Sequence, residues 1–320
     1  MARGPSSAEA GLELDVGRVV ASHGQRLTVE DVAGRRVPCR LHGRRLAAVC
    51  GDEVRWRYAH PGETYGTVYA VLPRRQALER LTASGRTEPV VANLTQLVVV
   101  AAPRPAPDWF VIDRYLAGAA WCGIAALIAF NKCDLGLGDE ALAELDGYAA
   151  LGIPTIRCSA KAAPGVGALA ARLAGAVSVL VGQSGTGKSS LLNALVPEAR
   201  AVTQEISAAT DEGRHTTTHA VLHRLGSGGD LVDSPGVRDY APPVPAPRAV
   251  ASGFTEIRAA AAGCRFQDCL HLAEPGCAVR AGLEAGRIRT RRYESYRRLL
   301  ALARDFGERF PQRRPRSTRR

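Results

Sequence analysis

Gly182-Gln183-Ser184-Gly185-Thr186-Gly187-Lys188-Ser189 reads G-x-x-x-x-G-K-S and runs on into Ser190. An apolar run, residues 177–181, precedes it, and the sequence Leu191-Leu192-Asn193-Ala194-Leu195 follows it. Strand, tight loop and helix in that order predict a phosphate-binding loop. The glycines let the backbone wrap close enough for successive N–H groups to point at phosphate oxygens. The helix N-terminus adds unpaired donors and a partial positive charge. Lys188 is expected to neutralise the β- and γ-phosphates, and Ser189 to offer its hydroxyl to Mg²⁺.

Composition supports that reading over a chance glycine-rich turn. The chain has 42 Lys+Arg, and only Lys132, Lys161 and Lys188 are lysines. Where nearly every cation is arginine, a lysine marks a place a planar guanidinium does not fit, such as under a phosphate. The other two lysines point to the base. Lys132 lies in Asn131-Lys132-Cys133-Asp134, closing the apolar run 124–130, and Lys161 lies in Ser159-Ala160-Lys161 after residues 154–158. A carboxylate at Asp134 can accept from guanine N1 and the 2-amino group. Adenine lacks that donor pair and would leave the carboxylate unpaired. With a phosphate loop in the same chain, the two short motifs predict GTP rather than ATP.

A chain of 320 residues is expected to hold two or three domains. Its 46% hydrophobic content suffices for cores, and no apolar run approaches membrane-spanning length. The N-terminus lacks the layout of a signal peptide. Eight cysteines, five of them scattered singly, do not suggest a disulfide framework. The expectation is a cytoplasmic, monomeric, multidomain protein with no membrane partner.

The net charge of +11 is unevenly placed. Residues 1–90 carry +4 (14 basic, 10 acidic), residues 91–240 carry −3 (11 basic, 14 acidic), and residues 241–320 carry +10 (17 basic, 7 acidic). Basic ends around a slightly acidic middle suggest nucleotide chemistry in the centre and polyanion binding outside it.

After a disordered tail at 1–11, residues 12–74 read as five short strands (17–21, 26–32, 37–41, 53–58 and 65–72), which fit a barrel of the oligonucleotide-binding (OB) type. Two readings of its surface stay open. Arg35, Arg36, Arg40, Arg44, Arg45, Arg55 and Arg57 could face phosphates, with Trp56 or Tyr58 stacking on bases. Alternatively the arginines are a solvated adaptor surface. Residues 75–92 lack clear periodicity and read as a linker. Residues 93–240 then alternate strands and helices, as in a doubly wound α/β sheet, with helices expected at 108–121, 138–151, 167–174 and 188–195.

Past the phosphate loop, Gly213-Arg214-His215-Thr216-Thr217-Thr218 reads as a first switch, with Thr217 completing Mg²⁺ coordination. Asp233-Ser234-Pro235-Gly236 reads as a second, with Asp233 on Mg²⁺ and the Gly236 N–H on the γ-phosphate. Many GTPases place a water-orienting glutamine right after D-x-x-G. Here that residue is Val237, so the missing group must come from elsewhere: His215, beside Thr217 and Lys188, or a group offered by a bound RNA. The motif order is unusual, because both base motifs precede Gly182. A sheet core tolerates such a cut where the old ends lie close, so the order predicts a circular permutation.

Residues 241–305 supply a second signature. Cys264, Cys269, His271 and Cys277 follow C-x₄-C-x-H-x₅-C, a ligand set for one closed, structural Zn²⁺ per chain. Beyond them, 282–304 reads as an arginine-rich helix and 306–320 as a basic tail.

Taken together, the permuted order, G-Q-S-G-T-G-K-S-S, R-H-T-T-T, D-S-P-G-V-R and C-R-F-Q-D-C-L-H-L-A-E-P-G-C resemble the bacterial ribosome small-subunit-dependent GTPase A family. The resemblance covers residues 17–296. It implies an OB-like barrel, a circularly permuted α/β P-loop GTPase domain and an α-helical zinc-binding domain. It also implies a partner that composition does not name, the small ribosomal subunit with its rRNA late in maturation, beside GTP and GDP. Two functions are weighed: a GTP-hydrolysing assembly factor released on hydrolysis, or an RNA-docking nucleotide sensor with negligible turnover. Lys188, Ser189, Asp233 and the threonine run favour the first.

Overall fold

The computed structural model describes residues 13–24, 26–43, 45–58, 62–82, 84–197, 220–234 and 242–310. The first five strands are β1 (Asp15–His23), β2 (Arg26–Asp31), β3 (Arg36–Leu41), β4 (Glu53–Tyr58) and β5 (Gly66–Val71). They pair in the order β1-β2-β3-β5-β4, and a β1–β4 ladder closes the barrel. Residues alternate along the strands apart from irregularities in β1 and between β4 and β5, and Val19, Val29, Cys39, Val54 and Val68 fill the interior. Trp56 fills it too, at 1% exposure, which removes it as a stacking surface. Tyr58 packs edge-on against it, 5.1 Å between ring centroids.

The stretch expected as a linker is mostly a two-stranded antiparallel hairpin, β6 (Ala77–Leu81) and β7 (Thr87–Ala92). Its base is pinned at Asn93, whose N–H donates to Gln76 O at 2.7 Å and whose Nδ2 donates to Gly51 O at 2.9 Å. Gly51 is indispensable there: φ is +93°, and a Cβ would lie 2.0 Å from Ala92 O.

The α/β domain holds β8 (Gln96–Ala101), α1 (Trp109–Trp121), β9 (Ala125–Phe130), α2 (Asp139–Ala150), β10 (Thr155–Arg157), α3 (Gly167–Leu173), β11 (Val177–Val181), α4 (Lys188–Leu195), β12 (Ala220–Arg224) and β13 (Asp230–Asp233). The strand order is β10-β9-β8-β11-β13-β12, parallel except for β12. Strands buried on both faces read as continuous apolar runs, as β8 does. Leu97 and Val99 pack with Leu116 and Tyr148 on one side, and Val98 and Val100 with Leu169 and Leu191 on the other.

The barrel continues this sheet. β12 pairs with β1 through Ala21↔Val221 and Ser22↔Ala220, giving eleven strands in all. Arg18 bridges to Asp230 at 2.6 Å, and Arg224 to Glu30, across the same seam.

The C-terminal region holds α5 (Thr255–Ala261), α6 (Ala278–Glu284) and α7 (Thr290–Arg309). The single helix expected over 282–304 is broken at Gly286, φ +71°, and resumes as α7 through Arg309, inside the expected tail. Tyr293, Tyr296, Leu299, Leu300 and Ala303 make one buried stripe on α7, packed with Phe254, Ile257 and Ala117.

A buried ionic network locks α7 onto the α/β domain. Asp113 on α1 is fully buried and accepts from Arg292 Nη1 at 2.6 Å, Arg291 Nη1 at 2.7 Å and the Tyr148 hydroxyl at 2.5 Å. Arg292 also grips Glu256 of α5 with two bonds, 2.7 and 3.1 Å, and Arg291 donates to Glu144 of α2 at 2.7 Å. Burial opposes the charge on both guanidiniums, and the carboxylates around them outweigh it, raising both further. Removing one member of such a network strands the others without water. Asp113→Ala is therefore expected to cost about 3–5 kcal/mol, read by urea unfolding through the fluorescence of Trp109 and Trp121 on α1.

Candidate functional site

Four parallel strands end on the same edge of the sheet, and the predicted motifs stand in the loops that follow. Asn131 follows β9, Ser159 to Lys161 follow β10, Gly182 follows β11, and Asp233 closes β13. The carboxyl ends of parallel strands are where open α/β sheets hold ligands.

Asn131 ties these loops together. It is buried, its Nδ2 donates to Thr186 O at 2.9 Å, and its Oδ1 accepts from the Ala160 N–H at 3.1 Å. One amide thus joins the loop after β9 to the phosphate loop and to the loop after β10. Lys132, in the left-handed region at φ +58°, donates from Nζ to Gly185 O at 2.6 Å and Arg104 O at 2.9 Å. Its aliphatic stem is stretched over the phosphate loop as a result. Ser159 turns its own loop, its Oγ accepting from the N–H groups of Lys161 at 3.2 Å and Ala162 at 3.1 Å. Cys133 contributes backbone: burial, then the neighbouring Asp134, push its thiol up, away from a reactive thiolate.

The phosphate loop is shaped by its glycines. A Cβ on Gly182, φ +139°, would meet Val100 O at 2.2 Å, and one on Gly187, φ +92°, would meet Asn131 Nδ2 at 2.4 Å. Thr186 is buried and donates to Gln183 O at 2.9 Å. Gln183 in turn accepts the Asp108 N–H at 3.0 Å, and Asp108 caps α1 through Phe110 N and Val111 N. Lys188 Nζ bridges Gly182 O at 2.7 Å and Gln183 O at 2.8 Å.

These residues line one cleft of about 630 Å³, bounded by Asn131, Lys132, Asp134, Lys161, Gly185 and Lys188, with Leu135, Ser184, Ser189 and Ser190 along its wall. That volume suits a small-molecule ligand. A recess beside it brings Asp233 against Lys188 and Ser189. His215, Thr217, Gly236 and Val237 lie outside the described residues. Sequence reading missed Gln183 as a brace to α1. It also missed the Asp113–Arg292 network, whose partners lie 179 positions apart.

In the C-terminal region, the ligand atoms of Cys264, Cys269, His271 and Cys277 all lie within 4.8 Å of one another. His271 Nδ1 is 3.5 Å from Cys264 Sγ and 3.6 Å from Cys277 Sγ, and those two sulfurs are 3.9 Å apart. A tetrahedral ion with bonds of about 2.3 Å to sulfur and 2.0–2.1 Å to nitrogen requires edges of about 3.8 and 3.6 Å. The cluster fits one such ion. Outer contacts hold it: Tyr293 donates to His271 O at 2.5 Å and Tyr296 to Leu270 O at 2.8 Å. Glu274 accepts the N–H groups of Leu270, Leu272 and Ala273. Burial pushes that carboxyl up, but these bonds outweigh it and hold it down to about 2.

A phosphate loop that follows Asn131 to Asp134 and Ser159 to Lys161 on one parallel sheet defines the class: a circularly permuted P-loop GTPase fold, flanked by a barrel and a helical region that carries the Cys264, Cys269, His271 and Cys277 cluster. Residues 71–241 match the family model described as RsgA GTPase. The chain is 44% identical over 290 residues to the small ribosomal subunit biogenesis GTPase RsgA of Pseudomonas aeruginosa, covering 89% of this chain and 84% of that one. It is 42% identical over 293 residues to that of Azotobacter vinelandii, with the same coverage. The crystal structure of YjeQ from Thermotoga maritima superposes with a TM-score of 0.72 at 30% identity, covering 94% of this chain and all of that one. YloQ, described as a circularly permuted GTPase, gives the same TM-score at 22% identity and shares the fold. The chain belongs to the RsgA GTPase family.

Gly187 tests the geometry of the cleft. Gly187→Ala drives a methyl onto Asn131 Nδ2 and should lower affinity for a fluorescent GDP analogue about five- to a hundredfold, since a displaced buried donor costs about 1–3 kcal/mol. Unchanged affinity would mean that the Asn131 tie does not shape the site.

Proposed function

We propose that this chain hydrolyses GTP as a late maturation factor of the small ribosomal subunit, docking on rRNA through its flanking domains and leaving on hydrolysis. The observation that carries the reading is the gathering of the phosphate loop, the 131–134 stretch and Ser159 to Lys161 around one cleft, with Asp233 in the recess beside it. The names of its relatives give the biological setting.

Asp134 is the guanine-reading carboxylate, with Asn131, Lys132, Cys133, Ser159, Ala160 and Lys161 shaping the base pocket. Gly182, Gln183, Ser184, Gly185, Thr186, Gly187, Lys188, Ser189 and Ser190 wrap the phosphates, joined by Gly236. Mg²⁺ accompanies the nucleotide and is held by Ser189, Asp233 and Thr217. It supplies charge neutralisation between the phosphates. The protein works in the cytoplasm as a monomer.

Val237 cannot orient water, so the free protein is slow. With the subunit docked, His215 accepts a hydrogen bond from the attacking water. Turnover measured with and without purified small subunits tests this. A rate on the order of 10⁻³ s⁻¹ or below is expected alone, with strong stimulation by subunits. His215→Ala should lose most of the stimulated rate while nucleotide and subunit binding persist. No turnover under either condition would make the chain a nucleotide sensor.

The Cys264, Cys269, His271 and Cys277 cluster is a structural zinc site, since four protein ligands leave no open position. Metal analysis should return about one zinc per chain. Cys269→Ala should lose the metal and unfold the helical domain, because ligation and folding are coupled.

A further inference from the structure

With Trp56 inside the barrel, its outward face carries a different aromatic group. β3 and β5 run parallel with Arg40 opposite Thr67, and Thr67 also faces Arg57 on β4. Arg40, Thr67 and Arg57 therefore form one row across the sheet. One step along both strands, His42 and Tyr69 form the next. The β4–β5 register slips beside Tyr69, where Trp56 pairs with Val68 but Arg55 pairs with Ala70. Tyr69 is the extra residue at this bulge, and alternation from the interior Val68 places its side chain on the outward face.

These side chains are already stacked. His42 and Tyr69 lie 4.8 Å apart at 29°, and the Arg57 guanidinium sits over the Tyr69 ring at 5.7 Å. Exposure grades along the stack: Arg57 and Tyr69 are half-buried and His42 is open to solvent. The buried Arg57 Nε has no hydrogen-bond partner. Arg35 and Arg36 are neutralised by Asp31 and Glu30, whereas Arg40 and Arg57 have no carboxylate partner among the described residues. An open aromatic face at the end of a stack, beside two unneutralised cations, matches an unpaired nucleotide: a base for the ring and phosphates for the arginines.

We propose that the β3–β5–β4 face of the barrel binds single-stranded RNA by stacking an unpaired base on His42, with Tyr69 and Arg57 supporting the imidazole and Arg40 taking the flanking phosphate. The proposal rests on the rRNA-docking reading and names where one unpaired base is held. Stacking is tolerant of sequence, so the platform selects single strands over duplex rather than one base.

The test uses the full chain and a short unstructured RNA carrying 2-aminopurine, whose fluorescence falls on stacking. The wild-type protein should quench it. His42→Ala should weaken binding about tenfold and lose the quench. His42→Phe should restore both, while His42→Lys, which supplies charge without a π-face, should not. Affinity for inorganic polyphosphate should be the same in wild type, His42→Ala and His42→Phe and no lower in His42→Lys, and basal GTP turnover should be the same in all four proteins. His42 is exposed on a turn, so the variants leave the barrel core intact. Equal rescue by lysine, or an unquenched wild-type complex, overturns the stacking platform. If the wild type binds purified small subunits but not the single strand, the platform is wrong and rRNA docking stands. If it binds neither, the docking reading falls as well.

Discussion

The geometry of this molecule turns on one buried side-chain amide. Asn131 spends its donor on Thr186 O and its acceptor on Ala160 N–H, so three loops from distant parts of the chain keep one relation. A buried amide left unpaired is costly, which makes the arrangement close to all-or-none. Gly187 belongs to the same constraint, because any Cβ there would occupy the space of Asn131 Nδ2. The permutation is invisible at this level. Sheet edge, loops and amide meet as they would in any chain order, since parallel strands present their carboxyl ends to one place whichever is made first.

What the permutation does change is which elements adjoin the two stretches read as switches. β12 follows in sequence the stretch read as a first switch, β13 ends at Asp233, where the one read as a second begins, and β12 is also the strand on which the barrel hangs. Arg18–Asp230 and Arg224–Glu30 cross that seam at the opposite end of the hairpin from Asp233. On the other side, Arg291 and Arg292 lock α7 to α1 and α2 through Asp113, Glu144 and Tyr148. Both flanking domains are therefore fastened to the nucleotide-site domain by paired charges rather than tethered by free linkers. Cation–π contacts add to this, Arg292 over Phe254 at 4.7 Å and Arg298 over Phe110 at 3.6 Å.

Much of the site was legible in sequence because its motifs encode local backbone geometry. Glycines at 182, 185 and 187 specify positive φ, and the lysines stood out against an arginine background. The Cys264, Cys269, His271 and Cys277 cluster was legible for a similar reason, being crowded into one short stretch. What escaped reading depended on non-local facts. Trp56 and Tyr58 were both read as stacking candidates, and Trp56 shares the inward phase of Val54, a choice of face that depends on how the barrel closes. The 75–92 hairpin was missed because its strands, half-exposed and interrupted by Pro89, lack clean alternation. Gly286 was passed over inside an otherwise helical arginine-rich run. Asp113 gave no signal at all, since its worth comes from arginines on another domain.

The central claim is that the loops before the phosphate loop hold the base. Photo-crosslinking with 8-azidoguanosine triphosphate, followed by peptide mapping, tests it most directly. The account predicts label confined to residues 131–135 and 159–161, removed by excess GDP and retained in excess ATP. Label that maps elsewhere in the chain, or that ATP removes as well as GDP does, would contradict it.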